Sequence, residues 1–243
     1  MRFFAALGFL TAIPIPLRRA FSPVEIGRSI AYFPVVGLML GLILVGLDVM
    51  LDRVLPSLVA NTLLLAALVA LTGALHLDGW MDCCDALLGF KSPEARLRIL
   101  REPQIGAFGV AGAVLLLLVK FAALASLTGS ARSIALLLAP TCSRWGMAYA
   151  IIAYPYARGA SGKGSAFKEH ARRIDLLIAT LVALAIAIVS ANVWGIVLIG
   201  IAWLVTIGMA RFAIVRISGL TGDVYGTINE MIEVTLWLIL TIH

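Results

Sequence analysis

LLIATLVALAIAIVSANVWGIVLIGIAWLVTIGMA, residues 176–210, runs for thirty-five positions without a charge. A bilayer core takes about 20 apolar residues as helix. The stretch is therefore too long for one crossing and slightly short for two comfortable ones with a turn at the polar Asn192. The rest of the chain agrees with a membrane environment. Of its 243 residues 62% are hydrophobic and only 13% charged, roughly half the charge expected of a soluble domain. A water-soluble globular protein and a disordered chain are both excluded. Further apolar runs at 33–51, 58–75, 107–128 and 133–153, the two legs 174–191 and 193–214, and a last run at 227–242 predict about seven helices. The expected fold class is all-α, a polytopic integral membrane helical bundle, with 1–243 as a single catalytic domain.

The N-terminus, MRFFAALGFLTAIPIPLRR, imitates a signal peptide but lacks an A-x-A-like cleavage site. Its apolar run of about 12 residues, ended by Pro14 and Pro16, is too short to span. Residues 1–32 are expected to form a retained interfacial or re-entrant segment. With that segment inside, thirteen Lys and Arg residues fall in inner loops, while the outer loops hold only Arg53 and Arg132. By the positive-inside rule the loops at 76–106, 154–173 and 215–226 face the cytoplasm. The net charge of +6 is then a matter of topology or of an anionic substrate, and nucleic acid is not an expected partner. Cys83, Cys84 and Cys142 are odd in number, have no CxxC spacing and suggest neither disulfide nor zinc site.

The chemistry concentrates in His76-Leu-Asp78-Gly-Trp-Met-Asp82-Cys-Cys-Asp85. Asp78, Asp82 and Asp85 stand at i, i+4 and i+7, so a helix presents them on one face. Like charges at that spacing repel unless a cation sits between them, and hard carboxylate oxygens suit Mg2+ or Mn2+. All three are candidate metal ligands and catalytic residues, with Asp85 an alternative base. His76, at the membrane boundary, is a substrate-binding candidate. Downstream, Gly106 and Gly109 open the next helix, where free N–H groups suit an anion. A second cluster, Gly219-Leu-Thr-Gly222-Asp223-Val-Tyr-Gly226-Thr-Ile-Asn229-Glu230, offers Asp223 between glycines as a catalytic candidate and Glu230 as a substrate contact. The glycine-rich loop 156–168 brings Arg158 and Lys163, suited to phosphates. Arg144, inside an apolar helix, demands an acidic or phosphate partner. Lys120 fits either an ion path or a pair with Asp48. Acids and bases gathered on one membrane face imply phosphoryl or phosphodiester transfer.

These motifs, taken in order, resemble a known family. FLTAIPIP (9–16), YFPVVGLMLG (32–41), HLDGWMDCCDALLG (76–89), REPQIGAFGV (101–110) and GLTGDVYGTINE (219–230) are similar to cobalamin synthases, the adenosylcobinamide-GDP ribazoletransferases. The resemblance runs from residue 9 to about 233. It implies a magnesium-dependent transferase of the cell (inner or cytoplasmic) membrane whose small-molecule substrates are adenosylcobinamide-GDP and α-ribazole or its 5′-phosphate, with GMP leaving. On that analogy Asp78, Asp82 and Asp85 bind the metal, Asp223 and Glu230 complete the site, and Arg144, Arg158 and Lys163 steady the diphosphate. Two positions depart from the family pattern: Ala86 stands where Gly is usual, and Glu102-Pro103 where Asp-Ser is usual. The resemblance leaves open whether the chain forms a homo-oligomer.

Two other functions compete. A CDP-alcohol phosphotransferase of phospholipid synthesis also uses clustered membrane aspartates, but its pattern places Ala-Arg shortly after Asp-Gly, where this chain has Met81-Asp82. An ion-coupled transporter would use Lys120, Arg144 and the acids as a relay, and predicts acids spread through midspan rather than gathered at helix ends.

Overall fold

The computed structural model describes residues 1–16, 19–158 and 164–242. The first helix, α1 (Arg2–Leu10), is nine residues long, about 14 Å at the helical rise and too short to cross. An extended segment leads to α2 (Pro23–Arg28), started by a reciprocal cap in which Ser22 and Glu25 satisfy each other's backbone N–H groups. A 3-10 turn (Ser29–Tyr32) joins it to α3 (Phe33–Leu51), so that Pro23–Leu51 is one apolar stretch of 29 residues. Then follow α4 (Ser57–Leu71), α5 (Leu75–Leu87), α6 (Pro93–Ile99), α7 (Ala107–Ser126), α8 (Gly129–Ala153), α9 (Ser165–His170), α10 (Arg173–Ile217) and α11 (Gly222–Leu240). Among the described residues the β-pairing is one isolated bridge, Tyr156 to Leu220. The molecule is an all-α membrane helical bundle.

The core is built around α8, most of whose side chains are buried against α3, α10 and α11. Small residues set the distance between helices. A Cβ on Gly37 would strike the carbonyl of Pro140, and one on Gly41 would lie 2.8 Å from the Leu137 backbone. In lipid, where apolar faces gain little by meeting each other, this close backbone packing is what holds α3 to α8. At the end of the bundle where α3 finishes and α8 begins, Arg132 bonds Asp48, Asn61 (2.7 Å) and the Leu124 carbonyl (2.7 Å). It thereby ties α3, α4, α7 and α8 together.

One expected helix is shortened and one expected turn is found. The run expected to be helical over 58–75 stops at Leu71, because Gly73 (φ +59°) and Ala74 (φ 56°) adopt left-handed backbone. The chain bends there by 87°, which directs α5 away from the axis of α4 and packs it against α7 and α11. In α10, the turn expected at Asn192 is present: Ala191 and Asn192 leave the helical region, Asn192 at φ 50°. A Cβ on Gly195 would collide with the backbone of Ala187, eight residues earlier. Eight residues of straight helix span about 12 Å, so the chain reverses on itself at this point.

Four helices are long and apolar enough to cross a membrane, or five if the bent α4–α5 pair is one span. Those criteria do not reach the expected seven. They take α10 as a single helix despite its reversal, and α11 carries Asp223, Glu230 and Glu233.

Candidate active site

Where α5 and the first turn of α11 meet, both helices approach through glycine. A Cβ on Gly79 would sit 2.8 Å from the Asp223 carbonyl, and one on Gly226 3.2 Å from the Cα of His76. The Thr227 hydroxyl donates to the Gly79 carbonyl (3.1 Å) across this contact. The result is that Asp78 and Asp82, one turn apart on α5, share a cavity of about 470 Å3 with Asp223. His76, Arg101, Glu102, Tyr156, Arg158, Tyr225 and Phe9 also line it.

Arg158 reaches the cavity because the strand-like segment after α8 pairs with the loop before α11. The Ala157 N–H donates to the Leu220 carbonyl (2.8 Å) and the Leu220 N–H to the Pro155 carbonyl (2.9 Å). From there Arg158 Nη2 donates to Asp223 Oδ2 (2.8 Å) and to the Leu100 carbonyl (2.7 Å). Thr221 caps α11 and donates its hydroxyl to the same Asp223 oxygen (3.1 Å). Burial raises the Asp223 carboxyl, with Arg158 opposing. Asp82 is pushed up to about 7, chiefly by burial and then by the negative charges of Asp223, Asp78 and Asp85. Asp78, Asp82 and Asp223 crowd together at this cavity, with Arg158 bonded to Asp223, and such a cluster of acids gains from a cation.

Asp85, Gly106, Arg144 and Glu230 do not line this cavity. Asp85 accepts from the N–H groups of Gly106 (2.7 Å) and Gly109 (2.9 Å), so it caps the start of α7. The Gly106 N–H, expected to meet a substrate anion, is taken by this internal one. Glu230 faces α7 and is paired with Lys120, whose Nζ also bonds Glu233 at 2.7 Å. Arg144, fully buried, bonds Glu233 rather than a substrate phosphate. Two cations and two carboxylates thus neutralise one another in a medium where an unpaired charge is expensive. Lys120 does not pair with Asp48, which belongs to Arg132. Lys163 lies outside the described residues. Glu102 lines the cavity and pairs with Arg98 at 3.6 Å. Tyr225 was missed by the sequence reading; its place between Asp223 and Gly226, one helical turn from Thr221, was the available signal.

Among the described residues no group of three or more His, Cys, Asp or Glu side chains is arranged to enclose a metal ion. Magnesium, however, commonly binds through one or two carboxylates and completes its octahedron with water and substrate phosphates. The open pair Asp78 and Asp82, facing Asp223, has the right donor chemistry for an ion of that kind.

Comparison with known proteins covers nearly the whole chain. The family model described as cobalamin-5-phosphate synthase matches residues 2–241. A relative from Desulforamulus reducens, named adenosylcobinamide-GDP ribazoletransferase, is 35% identical over 98% of this chain and 94% of its own. One of the same name from Roseiflexus sp. is 35% identical over 98% of this chain and 88% of its own. Another from Pseudomonas fluorescens is 37% identical over 95% of each. No solved structure matches.

Proposed function

The chain belongs to the cobalamin-5-phosphate synthase family, and from that premise we propose that its α5–α11 cavity joins adenosylcobinamide-GDP to α-ribazole or its 5′-phosphate. A ribazole hydroxyl oxygen forms a bond to the phosphorus on the cobinamide arm, the phosphoanhydride bond breaks, and GMP leaves. The observation that carries this reading is the meeting of Asp78, Asp82, Asp223 and Arg158 at one cavity. Phosphoryl transfer needs little covalent help from a protein; it needs positioning and charge compensation.

Asp78 and Asp82 would hold magnesium. Bound there, the ion supplies charge neutralisation for the diphosphate and the departing GMP. Asp223, oriented by Arg158 and Thr221 and raised by burial, accepts the proton of the attacking hydroxyl. Arg158, poised on Asp223, offers its fork to a phosphate oxygen when the nucleotide enters. The adjoining apolar wall, with Phe9, Leu75 and Met147, suits the non-polar parts of a large substrate. The basic loops that share this end of the bundle support placing the cavity on the cytoplasmic side of the cell membrane.

The test is GMP release by the purified protein in lipid, supplied with adenosylcobinamide-GDP and α-ribazole, with and without magnesium. Stoichiometric GMP and cobalamin appearing only with the metal is the expected result. Product formed equally well in the presence of a chelator would remove the carboxylate–magnesium arrangement.

A further inference from the structure

Among the almost wholly enclosed side chains of residues lining the cavity, two have a hydrogen-bonding atom with no partner: His76 Nε2 and the Tyr225 hydroxyl. Both residues are almost wholly enclosed, His76 at 1% exposure and Tyr225 at 2%, and both line the cavity. A buried donor left without an acceptor is costly, and such orphans in a native structure call for an explanation.

The environment of His76 defines what its orphan atom is. On the side away from the cavity, Nδ1 lies 3.5 Å from Arg144 Nη2. A guanidinium has donors only and keeps its charge. Nδ1 must therefore present its lone pair, and in a neutral imidazole the proton then sits on Nε2. Arg144 cannot turn elsewhere, because its Nη1 is bonded to Glu233 and to the Ser143 hydroxyl (3.0 Å). Glu233 is fixed in turn by Lys120 and by the Asn229 amide (3.2 Å). The buried charges of α7, α8 and α11 thus end in one neutral, enclosed N–H of His76, a residue that lines the cavity. Tyr225, with a phenol that is protonated at neutral pH, supplies a second neutral donor from α11.

We propose that His76 Nε2–H and the Tyr225 hydroxyl are the neutral donors that hold an anionic oxygen of the substrate's diphosphate, and that Arg144 is a positioning residue that fixes the His76 tautomer. The inference rests on the cavity being the diphosphate site argued above. It assigns the diphosphate a contact that the carboxylates cannot give. Asp78, Asp82 and Asp223 have acceptors only when ionised, so they reach phosphate solely through a cation; neutral donors contact the oxygen directly, without adding to the charge that Arg158 already brings.

Two measurements test this on the full-length protein in lipid. In the first, GMP release is compared for wild type, Tyr225→Phe, His76→Gln and His76→Asn. The Gln amide nitrogen reaches the place of Nε2, whereas that of Asn occupies the place of Nδ1. Tyr225→Phe and His76→Asn are expected to lower kcat/KM by about tenfold or more, as loss of a hydrogen bond to a charged oxygen does. His76→Gln should recover most of that loss. Wild-type kinetics in Tyr225→Phe and His76→Asn would overturn the proposal. In the second, 15N-histidine NMR of the wild type is recorded before and after GDP and magnesium are added, with His76→Gln identifying the resonance. A protonated Nε2 that shifts with GDP is expected; a protonated Nδ1, or an Nε2 indifferent to saturating GDP, would overturn the assignment even where a variant fails to fold. Absence of GMP from the wild type would instead defeat the reaction proposed for the cavity, and the GDP response of Nε2 would still decide whether these donors take a diphosphate.

Discussion

Asp82 and Asp85 are three positions apart and read alike in sequence, yet their surroundings set them different tasks. Asp82 faces the cavity with its carboxyl pushed up to about 7 by burial and neighbouring acids. Asp85 is spent on two backbone N–H groups at the start of α7. Asp82→Asn is expected to lower turnover roughly 100-fold, the scale of losing one well-placed charge at a phosphoryl site, with membrane insertion unchanged. Asp85→Asn should instead lower the thermal midpoint, by about 1–2 kcal/mol of stability, and spare most of the activity. Equal loss of turnover in both, at equal stability, would return Asp85 to the catalytic group. The raised carboxyl of Asp82 also has a pH consequence. Protons compete with magnesium for the ionised form, so the magnesium concentration for half-maximal rate should rise as pH falls below about 7 and level off above it. A half-saturation constant flat from pH 6 to 8, on a scale set by the proton affinity of Asp82, would contradict it. The i, i+4, i+7 spacing revealed the helix face but not this division of labour, because the partner of Asp85 lies more than twenty residues away.

At the scale of elements, glycines decide which helices meet. Gly79 is the contact through which α5 touches the start of α11. Gly79→Ala would push Asp223 away from Asp78 and Asp82; turnover is expected to fall at least tenfold, since small displacements of reacting groups are costly, while circular dichroism and the thermal midpoint stay close to wild type. Unchanged kinetics would show that the cavity tolerates a wider gap. The helix that bears the acids was legible from its spacing, as was the turn at Asn192 from a polar residue in an uncharged run. The bend before α5 was not, since Ala74 at φ 56° has no sequence signature. The α3–α8 contact did have one: Gly37 and Gly41 stand at small-xxx-small spacing on a helix that periodicity marked only as apolar.

For the whole molecule, the buried Lys120–Glu230–Glu233–Arg144 set matters more to integrity than its distance from the cavity suggests. It joins α7, α8 and α11, and Glu233 accepts from both cations. Glu233→Gln leaves a buried cation short of its counter-charge, a change worth about 3–5 kcal/mol, and should be seen as a lower midpoint in detergent unfolding. An unchanged midpoint would mean that water reaches the network. The sequence showed each of these charges but not their pairing, which needs three helices in register. The same holds for the function: the family motifs named the chemistry, and the fold supplies Arg158 and Tyr225 as its neighbours. The reversal at Asn192 has a consequence of another kind, for how the chain is laid into its membrane. The metal-type acids of α5 are synthesised before α10, and Asp223 after it. Had residues 176–210 entered as a single pass, everything downstream would be delivered to the opposite leaflet, and the two halves of one cavity would be divided by the thickness of the bilayer. A left-handed turn at one asparagine therefore sets the parity of insertion, and with it whether the carboxylates proposed for the reaction ever occupy the same compartment.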